Sequence, residues 1–135
     1  MNKYLIFRSD RIGDFLLTAI LIKSIKRNDP SSNIVVVSSE KNFKYINSFN
    51  IIDKVFFLKK GFFNKIKLFF LLNKSFYKSI IVHDSKNRSK IISFFLKSKN
   101  KYISNSKKFD SYFDEIKNIL EYLNFNFDEN DFNTL

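Results

Sequence analysis

Residues 7–18 read FRSDRIGDFLLT, and the parsing of this stretch decides the fold. Before it, Lys3–Phe7 (KYLIF) is a short apolar run bounded by charges, the pattern of a strand buried on both faces. After it the period changes. Ile12, Phe15, Leu16, Ala19, Ile20, Ile22 and Ile25 follow helical spacing, and Lys23, Lys26 and Arg27 load the last turn, where cations suit the helix dipole. Asn28-Asp29-Pro30 ends this helix, because proline cannot continue it. Ser9, Asp10, Arg11, Gly13 and Asp14 therefore sit on a strand-to-helix turn, the place where open α/β sheets bind ligands.

The same alternation runs down the chain. Asn33–Val37 (NIVVV) predicts a second strand, residues 41–49 a short helix, Lys54–Leu58 (KVFFL) a third strand and residues 62–76 an amphipathic helix. Residues 79–82 predict a fourth strand, 89–96 a helix and 101–103 a brief fifth strand. Residues 110–123 predict a helix with Phe113, Ile116, Ile119, Leu120 and Leu123 on one side. Such βαβ units imply a single α/β domain over residues 1–135, an open Rossmann-like parallel sheet of about five strands with helices on both faces. The phenylalanines fall mostly at apolar-periodic positions and are expected in the core.

With 135 residues the chain has room for one domain and its core. The absence of cysteine excludes disulfides and thiolate metal sites and fits a reducing compartment; the lone His83 speaks against zinc. A net charge of +11 points to an anionic partner, whether a phosphate-bearing substrate, nucleic acid or a membrane face. The plentiful Lys, Asn, Ile and Phe also fit a compositional bias acting across a proteome. Charge is uneven: between Lys54 and Lys108 the only acid is Asp84, whereas acids dominate from Asp110 onward. No signal peptide develops before Arg8 and Asp10, and no apolar stretch reaches the roughly 18 residues of a membrane span. The expected location is cytoplasmic; residues 62–76, whose phenylalanines are interleaved with lysines, read either as a helix that covers the sheet with its lysines in water or as a peripheral contact at the inner face of the membrane.

The run Tyr4–Arg27 (YLIFRSDRIGDFLLTAILIKSIKR) resembles the N-terminal signature of glycosyltransferase family 9, the ADP-heptose:lipopolysaccharide heptosyltransferases. In that family a strand of the type ILIIR is followed by small polar residues, then IGD, then an apolar helix with a Thr and usually a Pro. Leu5-Ile6-Phe7-Arg8, Ser9, Ile12-Gly13-Asp14 and Thr18 stand in those places, with Ile20 where the proline is usual. The resemblance continues through residues 33–58, through 79–95 with Arg88 and Ser89 but without the family's loop glycine, and through 109–128.

The resemblance implies the N-terminal, acceptor-side half of a two-domain GT-B fold, with the C-terminal donor-binding domain absent. It implies inverting sugar transfer from a nucleotide-sugar to a lipopolysaccharide-core or related acceptor, glycan or lipid-linked. No cofactor is implied beyond that nucleotide-sugar as co-substrate, and a separately encoded donor-binding domain is an implied partner. Activity of this chain alone is not expected. The IGD aspartate of the family is the general base, which places that role on Asp14.

The chemistry is coherent, since a carboxylate at the carboxyl end of a strand can accept the proton of an attacking hydroxyl. The plainer reading of Asp14 is an acid favoured by the helix dipole, worth about 0.3–1 kcal/mol. Ser9, Arg11 and Gly13 on the same turn are candidate acceptor contacts, Arg11 through its planar fork and Gly13 through close backbone approach or an unusual φ. Asp84, Lys86 and Arg88 after the fourth strand are further candidates, while His83 and Asp84 point to opposite faces and form no relay. Neither a dinucleotide fingerprint nor a P-loop is present, which argues against a nucleotide site in this domain. The alternative function is a non-catalytic Rossmann-like binding module for an anionic lipid surface or nucleic acid, with nucleic acid the less favoured partner.

Overall fold

Apolar runs without a polar face must be covered on both sides, and here they are. In the computed structural model, which describes residues 1–105 and 111–133, strands and helices alternate: β1 Lys3–Arg8, α1 Ile12–Asn28, β2 Asn33–Ser39, α2 Phe43–Asn47, β3 Lys54–Leu58, α3 Phe62–Leu72, β4 Tyr77–Val82, α4 Asn87–Phe95, β5 Ser98–Ile103 and α5 Tyr112–Tyr122, with a 3-10 turn at Glu129–Phe132. All strand pairs are parallel, in the order β3-β2-β1-β4-β5. The pleat divides the core. Tyr4, Ile6, Ile34, Val36, Val55 and Ile81 meet Phe15, Ala19 and Ile22 of α1 and Ile116, Ile119 and Leu120 of α5. Leu5, Phe7, Val35, Val37, Ile80 and Val82 meet Leu68 and Leu72 of α3 and Ile92 of α4. This is the α/β sheet expected from the sequence.

Boundaries differ where periodicity is silent. β5 begins at Ser98 rather than 101 because pairing with β4, Tyr77 opposite Ser98, recruits polar residues into an edge strand whose Lys99 and Lys101 stay exposed. α3 stops at Leu72, leaving Phe76 in the loop before β4. The start of α5 at Asp110 lies outside the described residues; within them the helix follows Ser111, whose Oγ accepts from the Asp114 amide at 3.2 Å.

The expectation that the phenylalanines fill the core holds for only part of them: Phe43, Phe49, Phe56, Phe69, Phe125, Phe127 and Phe132 are partly buried against it. Phe7 and Phe15 are fully buried, but Phe62, Phe63, Phe70, Phe76, Phe94 and Phe95 are exposed. The sheet is covered instead by branched aliphatics, and α3 and α4 are apolar on their outward sides as well.

Residues 124–133 return to the end of α1. Asp131, buried, accepts from Ser24 Oγ at 2.7 Å and from Arg27 Nε at 3.1 Å, while Arg27 Nη2 donates to the Asn126 carbonyl at 2.6 Å. Phe113, Phe127 and Phe132 pack beside this clasp. Asp131→Ala, which leaves the half-buried Arg27 without its carboxylate, is expected to cost about 1–3 kcal/mol of stability. Urea unfolding measures it, and a loss under a few tenths of a kcal/mol would show the clasp to be idle.

Candidate functional site

The carboxyl ends of β1 and β4 are neighbours, with Phe7 opposite Val82, and their connections leave toward opposite edges of the sheet. That divergence opens a crevice at the topological switch point. The turns after both strands meet there, and three sets of side chains occupy it.

The first is centred on Asp84. Its Oδ2 accepts from the Ser9 amide at 2.9 Å, Ser9 Oγ at 2.7 Å and Ser89 Oγ at 2.8 Å, and its Oδ1 accepts from the Lys86 amide at 3.1 Å. Arg88 closes the group, donating from Nη2 to the Ser9 carbonyl at 2.7 Å and from Nε to Ser9 Oγ at 3.2 Å. Asp84 and Ser9 are buried and spend their hydrogen-bonding capacity on each other, whereas the Lys86 side chain is exposed. Between Asp84 and Lys86, Ser85 takes a φ of +56°, a left-handed conformation that a glycine would adopt more readily.

The second set lies on the other side of the sheet, so His83 and Asp84 do point apart. Arg8 Nε donates to Thr18 Oγ1 at 2.8 Å, which directs the Thr18 proton to His83 Nδ1, also at 2.8 Å. His83 Nε2 lies 3.3 Å from Glu115 Oε1, and Ser104 Oγ donates to the same oxygen. These partners assign His83 the neutral Nε2–H form. Burial pushes its pKa below the ordinary value, aided by Arg8 and opposed by Glu115. For Glu115 burial pushes upward, but the hydrogen bonds from His83 and Ser104 prevail and hold the carboxyl low.

The third set carries the exposed chemistry. Asp10 Oδ2 accepts from Arg8 Nη1 at 2.9 Å, and its Oδ1 is buried with no hydrogen-bond partner among the described residues. Burial raises its pKa, Arg8 lowers it, and the charges of Asp84 and Asp14 raise it further. Asp14, in the first turn of α1, keeps a side chain 21% exposed; its one ion pair among the described residues, to Arg11 Nε at 3.4 Å, involves a guanidinium 88% exposed. Such a pair is weakly held in water. Gly13 has an ordinary helical φ, which removes one of the two reasons given for it. The space over it is open, since a Cβ built there meets nothing within 4 Å.

Beside this turn an open cavity of about 970 Å³ follows the carboxyl edge from Ser9 and Arg88 to Ser39, Glu40 and the β3–α3 turn. Lys41, Lys59, Lys60, Lys65 and Arg88 line it against one acid, Glu40. Sequence reading did not single out Glu115, nor the cavity lysines. Glu115 was findable, because it stands four residues before Ile119 on a stripe that is otherwise apolar. The lysines were not, since they come from the segment after β2, the β3–α3 turn and the first turns of α3, which only the sheet order brings together. No group of three or more His, Cys, Asp or Glu side chains among the described residues is placed to hold a metal ion.

No family model and no curated protein matches the sequence. Solved structures match the fold. A glycosyl transferase family 9 protein from Veillonella parvula superposes over 93% of this chain with a TM-score of 0.74 and 20% identity. This chain has the fold of part of a family 9 glycosyltransferase. The E. coli heptosyltransferase WaaC, solved with ADP and with ADP-2-deoxy-2-fluoro heptose, matches over 82% of the chain, with TM-scores of 0.64 and 0.66 and 14% and 12% identity. The chain spans 42% of the length of the first of these GT-B proteins and 37% and 38% in the two WaaC structures.

The buried His83 ties stability to pH. Below about pH 6.5 the unfolded chain takes up a proton on His83 that the folded chain refuses, so stability falls. The low-held Glu115 adds a second loss below about pH 4.5, where the unfolded chain protonates first. Asp10, raised, acts with the opposite sign. His83 is the only histidine, so His83→Gln is expected to remove a slope of up to about 1.4 kcal/mol per pH unit between pH 6.5 and 5. Urea unfolding across pH 5–7.5 checks this, and an unchanged slope in the variant refutes it.

Proposed function

We propose that this chain is the acceptor-side domain of a heptosyltransferase-type glycosyltransferase, with Asp14 as the general base and an anionic glycan or lipid-linked glycan as acceptor. One observation carries the proposal. Of the acids at the switch-point crevice, Asp84 is consumed by internal hydrogen bonds and Asp10 is paired with buried Arg8, while Asp14 is partly exposed with only a loose partner. A base must be free to take a proton from a bound hydroxyl, and Asp14 meets that condition.

Arg11 and Arg88 flank the turn, and the lysine-lined cavity supplies the charge that phosphate or carboxylate groups on an acceptor require. Open space over Gly13 lets a sugar approach the helix backbone. Asp84 and Ser9 act here as positioning residues that fix the turn, rather than as direct contacts. The donor nucleotide-sugar is assigned to a second domain, from a further segment or a separate polypeptide, because the crevice offers no phosphate-cradling glycine loop. The unmatched share of the solved relatives leaves room for such a domain.

With the donor-binding domain supplied, Asp14→Asn is expected to lower turnover by about 10²–10⁴-fold with little change in acceptor KM, and to cost no more stability than the roughly 0.3–1 kcal/mol of its helix-dipole interaction. Asp84→Asn is expected to lower the melting temperature instead. Retained transfer in Asp14→Asn refutes the assignment of the base. Gly13→Ala is expected to fold normally, with α1 stabilised by up to about 1 kcal/mol, yet to weaken acceptor binding. Calorimetry with a phosphorylated core oligosaccharide reads both changes, and undiminished binding would mean that the space over Gly13 is not used.

A non-catalytic module for an anionic partner rests on the cationic cavity alone. It predicts binding of polyphosphate or nucleic acid that is indifferent to Asp14.

A further inference from the structure

The outward side of α3 and α4 is apolar without being covered. α3 inserts Leu68 and Leu72 into the core and turns Phe62, Phe63 and Phe70 outward. α4 buries Ser89, Ile92 and Ser93 and turns Ile91, Phe94 and Phe95 outward. Phe63 is 83% exposed and Phe94 73%. Between the helices runs an apolar trough of about 420 Å³, walled by Phe62, Ile66, Phe69, Ile91, Ile92 and Phe95. Lys65 and Arg88 line both this trough and the cationic cavity at the sheet edge, so the two are contiguous.

The charge around this face has one sign. Lys65, Lys67, Lys74, Lys90 and Lys97 belong to the same helices and their flanks, and the only acid between Lys54 and Lys108 is Asp84, which is buried and fully bonded. Isolated exposed apolar residues need no explanation, but a contiguous patch of this kind marks an interaction surface. A second copy is a poor occupant, because two chains of charge +11 would bring like lysines together. A bilayer with anionic headgroups supplies both complements at once, acyl chains for the rings and phosphates for the lysines.

We propose that the α3–α4 face seats this protein on an anionic lipid bilayer, with the rings of Phe62, Phe63, Phe94 and Phe95 below the headgroups and the lysines on lipid phosphates. The sequence showed only the α3 half of this surface; the fold adds α4 and joins both to the lysine-lined edge. The proposal stands on the exposed face and not on the transferase reading, so either can fail alone.

The chain contains no tryptophan, which allows a clean reporter. Phe63→Trp is expected to show a blue-shifted, brighter emission on adding vesicles of 30% phosphatidylglycerol in phosphatidylcholine, and no change with phosphatidylcholine alone. Tyr45→Trp, exposed on α2 across the sheet, is expected to stay unshifted. In sedimentation with the same vesicles, the double variant Phe63→Ser, Phe94→Ser is expected to bind at least tenfold more weakly at unchanged melting temperature, and raising salt from 50 to 500 mM is expected to release the wild type. Any of three results overturns the proposal: no shift in the Phe63→Trp variant with anionic vesicles, equal shifts in the two tryptophan variants, or unimpaired vesicle binding by the double serine variant. Self-association abolished by the serine pair would give the face to a second copy, and tighter binding of a single-stranded oligonucleotide that displaces the vesicles would give it to nucleic acid; either also overturns it.

Discussion

The Asp84 carboxylate holds the crevice together. Parallel strands end in loops that nothing in the sheet restrains, and here the loops after β1 and β4 must be locked for the first turn of α1 to present its acid at a fixed angle. Four donors on one buried carboxylate, drawn from Ser9, Ser89 and the Lys86 amide, achieve this, with Arg88 bridging back to Ser9. The unfavourable backbone at Ser85 is tolerated because both neighbours are pinned. A charge removed from water is stable only when so fully satisfied, which is why this acid serves architecture while its neighbour Asp14 keeps a partly exposed carboxylate.

Across the sheet, the Arg8-Thr18-His83-Glu115 chain performs a related task. It connects β1, α1, β4 and α5 through a single proton arrangement, and it reaches Asp10 through the same guanidinium that bonds Thr18. The turn that carries Asp14 is thereby anchored from both faces of the sheet. The solved structures that match this chain share its fold at 20% identity or less.

Much of this was legible in the sequence. The strand runs KYLIF, NIVVV and KVFFL stand out because a strand covered on both faces has no polar positions, and helix α1 was bounded by its period and its proline. The turn bearing Ser9, Arg11, Gly13 and Asp14 followed directly. What failed in part was the fate of phenylalanine: periodicity reports which residues are apolar, not which of two apolar sides of a helix finds a partner. Glu115 and the cavity lysines were hidden for a different reason, since their company is created by strand order, a property that no local window contains. The polar start of β5 was invisible because hydrogen bonding to β4, not hydrophobicity, makes it a strand.

That edge strand has a mechanical consequence. Lys99 and Lys101 stand exposed along β5, so adding a sixth strand would trap charge between sheet and cover. Any further strand is therefore disfavoured beside β5 and finds its place, if anywhere, at the opposite edge of the sheet, beside β3.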